Sequence, residues 1–274
     1  MVSIKSLYLF VLTNVVLAIE AIVTYNLFTL FAFSEPFALQ SIGLATVTLS
    51  TKTYSLVKLI ESGQRSKPLI GGDKRTVPKE AYRHEFLLRM ILASFIEAVT
   101  FQIIFRLDLL QNRLDWKDSL TFLPLSFLFE LIFDFFHYFA HRLLHAVPRL
   151  YTLFHKSHHK FHHPNAMTTF YQNPVDLVIS NAIPTLLALF IVTRFFEMSL
   201  FAFFLASTFK TFIEISGHTG KEEKTPSFVQ FIWLPIWLGI DLHTQDHDLH
   251  HTRNNCNYAK RFSLYDKLFG TFAK

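Results

Sequence analysis

Long blocks of apolar residues, separated by shorter polar segments, dominate the pattern of this chain. Residues 7–33 are almost wholly apolar, and a helix rising about 1.5 Å per residue crosses a bilayer core of about 30 Å over that length. The block is too long for a signal-peptide core, so we predict that it is retained. Residues 86–107 and 119–140 predict two more spans. Residues 175–193 and 195–213 are two further apolar runs, either two crossings or a helical hairpin.

Three other segments complete the pattern. Residues 36–57 are apolar but carry several Ser and Thr side chains and Lys52, which leaves a second crossing, the interpretation we favour, or an interfacial helix. Residues 226–240 are short and contain two prolines, which predicts an interfacial or re-entrant segment. Residues 58–85 are polar and predict a loop. The whole pattern predicts an all-α, multi-spanning membrane protein with about four spans plus a helical hairpin.

Basic residues predict which end of the bundle faces the cytosol. The net charge is +5 and eight Lys or Arg side chains lie in segment 58–89, against two in segment 108–118. The positive-inside rule therefore places segment 58–89 in the cytosol. Span 119–140 then returns to the cytosol just before His141. Because two later crossings restore the original side, we expect His251 on the same face, which predicts a cytosolic histidine-rich cap.

Fourteen histidines, most of them clustered, carry the candidate chemistry. One cluster closes a helix that Pro148 should terminate, and two others are triplets with spacings of three and four, which place side chains on one half of a helix. A ninth candidate lies in a Gly-His-Thr-Gly segment. The candidates are His141, His145, His155, His158, His159, His218, His247, His250 and His251.

Nine imidazoles point to two metal ions. One ion takes roughly four to six ligands, so nine are too many for one and about right for two. Imidazole suits Zn, Cu, Fe and Ni, so the ligand type alone leaves the metal open. Neutral imidazoles also leave the charge of two divalent ions uncompensated, so nearby acids are expected as ligands or as acceptors of histidine N–H groups. The acids placed for this are Asp134, Glu214, Asp241, Asp246 and Asp248.

The other histidines have weaker claims on a metal. His243 is a candidate ligand beside the last cluster. His162 and His163 either bind metal or cap a polar turn. We expect His137 to be a neighbour on the helix face and His84 to be structural.

Motifs along residues 115–273 carry a family resemblance. They are Asp134…Tyr138…His141-Arg142…His145, then Leu150-Tyr151…Phe154-His155-Lys156…His158-His159, then His218-Thr219-Gly220, and finally His247-Asp248-Leu249-His250-His251…Asn255-Cys256-Asn257-Tyr258…Tyr265-Asp266-Lys267-Leu268-Phe269-Gly270-Thr271. These motifs resemble the fatty acid hydroxylase / sterol desaturase superfamily of membrane di-iron oxygenases. The ending is most similar to its cholesterol 25-hydroxylase and C-4 methylsterol oxidase members.

The resemblance implies a hydroxylase that attacks a C–H bond of a sterol or long-chain lipid, with a desaturase as the alternative on the same scaffold. It implies two Fe ions, for which Zn can substitute on purification, O₂ as oxidant, and a cytosolic active site in the endoplasmic reticulum membrane. Electrons from NAD(P)H would come through a separate cytochrome b-type or reductase partner, since no nucleotide-binding Gly motif or haem signature occurs in the sequence. Residues 1–85 would form N-terminal helices and a basic loop, and residues 86–274 the catalytic region. The residues expected to support the ligands are Asp134, Asp246, Asp248 and Asn257.

Two positions depart from the family pattern. Asp246 stands before His247 where close relatives show a His-His doublet, and Glu214 stands where fatty acid hydroxylases carry a His. Glu214 is therefore a tenth ligand, a support for the ligands, or the ion-pair partner of Lys210.

Two other functional classes fit less well. A transporter would hold its metal near the midplane, whereas these clusters lie at span ends, and a zinc protease would need a His-Glu-x-x-His motif, which does not occur.

Overall fold

The computed structural model describes residues 4–31, 38–71, 82–111, 117–222, 230 and 233–274, and over these the chain is helical, with isolated bridges but no strand. The six long helices are α1 (Ile4–Phe31), α2 (Leu39–Gly63), α3 (Arg83–Arg106), α4 (Lys117–Ala146), α5 (Pro174–Phe195) and α6 (Leu200–Gly217). Shorter helices follow: α7 (Trp233–Trp237), α8 (Thr244–Arg253) and α9 (Leu264–Leu268).

Five of the long helices, all but α2, are long and apolar enough to cross a membrane. The predicted all-α, multi-spanning class is therefore confirmed. α5 and α6 are separate helices, as the two apolar runs predicted, but α6 begins at Leu200 rather than at 195. The reason is a helix cap, because the Ser199 hydroxyl accepts the Ala202 N–H at 3.0 Å.

Residues 39–57 of the segment 36–57 belong to α2, whose 25 residues span about 37 Å, and residues 36 and 37 lie outside the described residues. α2 packs lengthwise against α3 and also against α1. Its Lys52 is buried and lies 3.4 Å from Glu97 of α3. Because α2 is not among the helices that are long and apolar enough to cross a membrane, its crossing stays a prediction.

The short helix α7 falls within the predicted interfacial segment 226–240. Its five residues are too few to cross a bilayer. Trp233 and Trp237 leave 45% and 76% of their surface exposed, as tryptophans do at a membrane boundary. Residues 226–229, 231 and 232 of the segment lie outside the described part of the chain.

Two contacts between loops define the two ends of the bundle. The Ile70 N–H donates to the Gly220 carbonyl at 3.1 Å, which joins the basic loop before α3 to the end of α6. The Gln111 N–H donates to the Met198 carbonyl at 3.1 Å, which joins the segment after α3 to the turn before α6. Residues 64–71, the described start of the basic loop, therefore lie at the end of the bundle that carries His218. Four of the basic residues behind the charge argument lie outside the described residues: Lys74, Arg75, Lys79 and Arg113.

Phenylalanine side chains hold the helices together. The Phe28 and Phe204 rings lie 5.0 Å apart between centroids, as do those of Phe101 and Phe203. Aromatic pairs in such tilted and edge-to-face arrangements stabilise a core beyond the area they bury. They fix α1 and α3 against α6, the helix that ends just before His218.

Candidate metal centre

The last turns of α4 carry the first histidines. Asp134, His137, His141 and His145 recur every three or four residues and lie on one face of this 30-residue helix. The helix ends at Ala146, just before Pro148, as the sequence predicted. His141 is buried and His145 half-buried.

The second cluster does not form the single helix that its spacing predicted. Residues Tyr151–His155 form a π-helical turn, closed by the Lys156 N–H donating to the Tyr151 carbonyl at 2.8 Å. A 3₁₀ turn, His158–Lys160, follows. Single π turns inside helical segments often occur at functional sites, and here the turn changes the direction of His155 relative to the residues after it.

The structure brings all nine candidate histidines together in two groups. Within each group the potential ligand nitrogens lie within 4.8 Å of one another. The first group contains His141, His145, His155, His159 and His250, and the second group contains His158, His218, His247 and His251.

Adjacent histidines divide between the groups. His158 belongs to the second group and His159 to the first, whereas His250 belongs to the first and His251 to the second. Neighbouring residues of an α-helix point about 100° apart, while residues four apart point in nearly the same direction. A His-His doublet on α8 can therefore face two metal ions at once, and His247 faces the same group as His251.

Ring nitrogens within each group point at one another. The Nε2 atoms of His141 and His155 lie 3.1 Å apart, and those of His218 and His247 lie 2.9 Å apart. The buried Nε2 atoms of His145 and His250 have no hydrogen-bond partner among the described residues. A metal bound at about 2.0–2.1 Å would hold neighbouring ligand nitrogens at about this separation, so these residues fit a metal.

The opposite nitrogens of four rings lie against fixed acceptors. Nδ1 of His141 lies 2.8 Å from the Tyr258 carbonyl, and Nδ1 of His250 lies 2.7 Å from the Cys256 carbonyl. Nδ1 of His218 lies 2.8 Å from the carbonyl of Glu214. When Nδ1–H donates to such an acceptor, the lone pair is on Nε2 and faces the group, which is how metal-binding imidazoles are oriented.

Asp176 provides the fourth acceptor and was not among the predicted residues. Its Oδ2 lies 2.9 Å from His155 Nδ1, and its Oδ1 accepts the Ser180 hydroxyl at 3.1 Å. The carboxylate is fully buried in the first turns of α5. A signal did exist in the sequence, because Asp176 is the one acid in the apolar run 175–193 and isolated acids in spans tend to be functional.

Burial favours the neutral form of four of the clustered imidazoles. It lowers the pKa of His218 and of His250 to about 3. For His158 and His251, burial and then repulsion from neighbouring histidines lower the pKa well below its usual range. Imidazole binds a metal only in its neutral form, so the electrostatics of the site suit metal binding near neutral pH.

Asp134 acts on the site through the backbone. Its carboxylate accepts three backbone N–H groups, from Lys260 at 2.7 Å and from Arg261 and Phe262 at 3.0 Å. These bonds hold the segment after α8 against α4. The same segment supplies the carbonyls that His141 and His250 contact, so Asp134 positions those acceptors rather than touching an imidazole.

Glu214 lies outside both groups. Its carboxylate accepts a hydrogen bond from Arg261 at 2.7 Å and also contacts the Lys260 ammonium. Arg261 donates in addition to Glu130 at 2.6 Å. The alternative ion pair with Lys210 does not form within 4 Å. The positive charges of Arg261 and Lys260 compensate the negative charge of the Glu214 carboxylate. Glu214 contacts the site only through its backbone carbonyl, which lies against Nδ1 of His218.

The remaining candidates surround α8 without joining either group. His243 Nε2 lies 2.9 Å from Asp241, and the His243 backbone N–H donates to Asp246 at the start of the helix. Asn257 donates to the Asp246 carbonyl at 2.9 Å. Asp248 lies 3.1 Å from Nδ1 of His163. These contacts fix the ends and the outer face of α8.

Three further histidines also lie apart from the groups. His137 is buried beside His141, with ring centroids 5.2 Å apart, and its Nδ1 lies 2.6 Å from the Ser180 carbonyl. His162 and His84 are exposed. Neither of these exposed residues is placed to share a ligand role with the nine.

Comparison with known proteins identifies related sequences. The fatty acid hydroxylase family model matches residues 126–271, slightly more than half of the chain. A curated relative, "Fatty acid hydroxylase vlmA" from Lecanicillium sp, is 31% identical over 149 residues, which cover 53% of this chain and 41% of the relative. The chain thus spans less than half the length of that relative. No solved structure matches.

Proposed function

This chain belongs to the fatty acid hydroxylase family, and we propose that it is a membrane di-iron oxygenase that hydroxylates a C–H bond of a sterol or long-chain lipid. The observation that carries the proposal is the pair of buried imidazole groups, five and four strong, with converging ring nitrogens. Iron held there would supply the O₂-dependent oxidation of an unactivated C–H bond, which amino-acid side chains do not perform alone.

The residues of this chain would hold and orient the ligands and exclude water. The nine histidines would bind the ions, while Asp176 and the carbonyls of Tyr258, Cys256 and Glu214 fix ring orientation. Burial of the site would keep bulk water from the reacting carbon. Residues 86–274 form the catalytic region in this proposal, and residues 1–85 the N-terminal helices and basic loop.

Electrons would come from NAD(P)H through a separate cytochrome b-type or reductase partner. We place the site on the cytosolic face of the endoplasmic reticulum membrane, because the described start of the basic loop, residues 64–71, lies at the same end of the bundle as His218 and basic loops favour the cytosol.

The function is tested with the purified protein, a reductase system, NADPH, O₂ and a mixed lipid extract. Metal analysis with Mössbauer spectroscopy identifies the ions, and mass spectrometry identifies products. We expect lipids that gain one oxygen atom, and none with His250→Ala. Products that lose two hydrogens would make the enzyme a desaturase instead, and turnover by iron-free protein would overturn the proposal.

Sidedness has its own test. A membrane-impermeant thiol reagent applied from the cytosol should label Thr252→Cys and leave Asp108→Cys, at the opposite end of the bundle, unlabelled. Both positions are exposed. The reverse pattern would place the metal centre in the lumen.

A further inference from the structure

A groove on the outside of the bundle lies apart from the metal centre. Its volume is about 480 Å³, within the range of ligand-binding sites. The first turns of α3 line one side, and residues between α4 and the start of α5 line the other. Among the described residues, none of the nine candidate histidines lines this groove.

The α3 side of the groove changes from charged to apolar along the helix. Glu85, Leu88, Arg89 and Leu92 recur every three or four residues and form one stripe. Leu88 and Leu92 leave 68% and 36% of their surface exposed on a helix long and apolar enough to cross a membrane. Tyr82 precedes the helix, and tyrosines concentrate at the level of the lipid headgroups. The groove therefore matches a lipid at the membrane boundary, with the charged part at the headgroups and the leucines at the acyl chains.

The charged part of the groove has an excess of positive charge. The Arg89 guanidinium lies 4.0 Å and the Lys160 ammonium 4.9 Å from the centroid of the Tyr171 ring. Glu85 lies 3.2 Å from Arg89 and is the one carboxylate among the described residues that line the groove. Segment 141–163, which supplies most of the opposite side, contains no Asp or Glu. Two cations thus share one carboxylate, which favours an anionic ligand.

A hydroxyl group on the opposite side lacks a partner. The buried Oγ of Ser157, which lines the groove, has no hydrogen-bond partner among the described residues. Buried polar groups in folded proteins are nearly always hydrogen-bonded, to protein or to another bound molecule. A ligand oxygen in the groove would supply the acceptor that Ser157 lacks.

We propose that this groove binds one anionic phospholipid of the surrounding leaflet, with its phosphate at Arg89 and the Ser157 hydroxyl and an acyl chain along Leu88 and Leu92. Arginine pairs with phosphate through two parallel N–H groups. The charge of Lys160 favours a headgroup with a net negative charge over a zwitterionic one. Because the groove contains no candidate metal ligand, the phospholipid is a bound ligand and not the compound that is oxidised.

Native mass spectrometry of the purified protein in detergent tests the site by titration with dioleoylphosphatidylserine. Wild-type protein should bind one such lipid at least about tenfold more tightly than dioleoylphosphatidylcholine. Arg89→Gln should weaken binding at least about tenfold, and Ser157→Ala about three- to tenfold, through loss of one hydrogen bond each. Lys58→Gln is the matched control and should bind as the wild type does, since Lys58 is an exposed cation of α2 that pairs with Glu61.

Metal content and elution volume show whether each variant is folded, and Ser157→Ala decides alone if Arg89→Gln does not fold. Wild-type affinity in the folded variants would overturn the proposal, as would equal affinity for the two lipids. Displacement of the lipid by an excess of inorganic phosphate would make the groove an anion site rather than a lipid site. Recovery of the bound lipid with an added oxygen atom after turnover would make it the substrate and overturn its assignment as a fixed ligand. The binding test needs no turnover, so a protein that binds the lipid but oxidises nothing would keep this site and lose the proposed function.

Discussion

The two histidine groups differ in how their outer faces are held. The first group has five imidazoles, and one of them, His155, lies against the buried carboxylate of Asp176. The second group has four, held by the Glu214 carbonyl and by the neutral amide of Gln172. Since an ion takes roughly four to six ligands, the second group leaves more of its ion open. Under the proposed function, the ion of the second group would therefore have more room for O₂ or substrate.

Removing one imidazole from either group should have the largest effect. His155→Ala and His247→Ala should each lower the metal content from about two ions per chain to about one and abolish turnover, because metal ligands cannot be replaced by water without loss of affinity. His84→Ala is the control, since His84 is exposed. Elemental analysis and the product assay measure both effects. Full metal content in both alanine variants would mean that the two groups are not separate sites.

Glu214 should matter for stability rather than for metal binding. Glu214→Gln leaves Arg261 and Lys260 without one of their carboxylates, and breaking a buried ion pair costs about 3–5 kcal/mol. The backbone carbonyl under His218 remains, so the folded protein should keep two metal ions. Glu61→Gln removes an exposed pair with Lys58 and should cost about 0–1 kcal/mol. Thermal unfolding in detergent compares the two, and loss of one metal ion from folded Glu214→Gln protein would instead make Glu214 a ligand.

Asp176 should set the affinity of the first group. Asp176→Asn keeps the shape but removes the charge beneath His155, and loss of such a support typically weakens metal binding about 10–100-fold. Asp241→Asn is the matched control, because Asp241 makes the same kind of contact to His243 outside both groups. Competition with a chelator measures the affinity of each ion. If both substitutions changed the metal affinity equally, Asp176 would have no specific role in supporting the metal ligand His155.

The smallest effect on metal affinity is expected from substitution of Gln172. Its amide nitrogen lies 3.2 Å from His158 Nδ1, and a rotated amide places its oxygen there as an acceptor. A neutral hydrogen bond contributes about 0.5–1.5 kcal/mol, so Gln172→Leu should weaken the second ion by no more than about tenfold. Competition with a chelator measures the metal affinity of this variant as well. If Gln172→Leu weakened metal binding as much as Asp176→Asn does, the two groups would not differ in how their ligands are supported.

Local spacing made much of this site readable from the sequence. Histidines four residues apart on α4 and α8 share a helix face, and the apolar blocks predicted the spans that bring these faces to one end of the bundle. The division of the His250–His251 doublet between the two groups also follows from helical geometry, once α8 is known to be a helix. The sequence did not predict the π and 3₁₀ turns around His155, because the same spacing of histidines fits an α-helix.

Contacts between distant segments could not be predicted. Glu214 and Arg261 are 47 residues apart, and Asp134 and Phe262 are 128 apart. No local pattern announces such pairs, so Lys210 was the natural partner for Glu214 from spacing alone. The support of His155 by Asp176 was missed for the same reason, since it depends on how α5 packs beside α4.

The three backbone hydrogen bonds that Asp134 accepts have a consequence for biogenesis. A ribosome delivers α4 to the membrane well before residues 260–262 emerge, so during synthesis Asp134 lies in the inserted helix without its donors. The carbonyls of Cys256 and Tyr258 reach His250 and His141 only after those donors arrive. Metal loading should therefore follow insertion of all the spans. A chain truncated just after Arg253 would retain all nine histidines but would lack the carbonyls of Cys256 and Tyr258 that orient His250 and His141. We therefore expect the truncated chain to bind no metal.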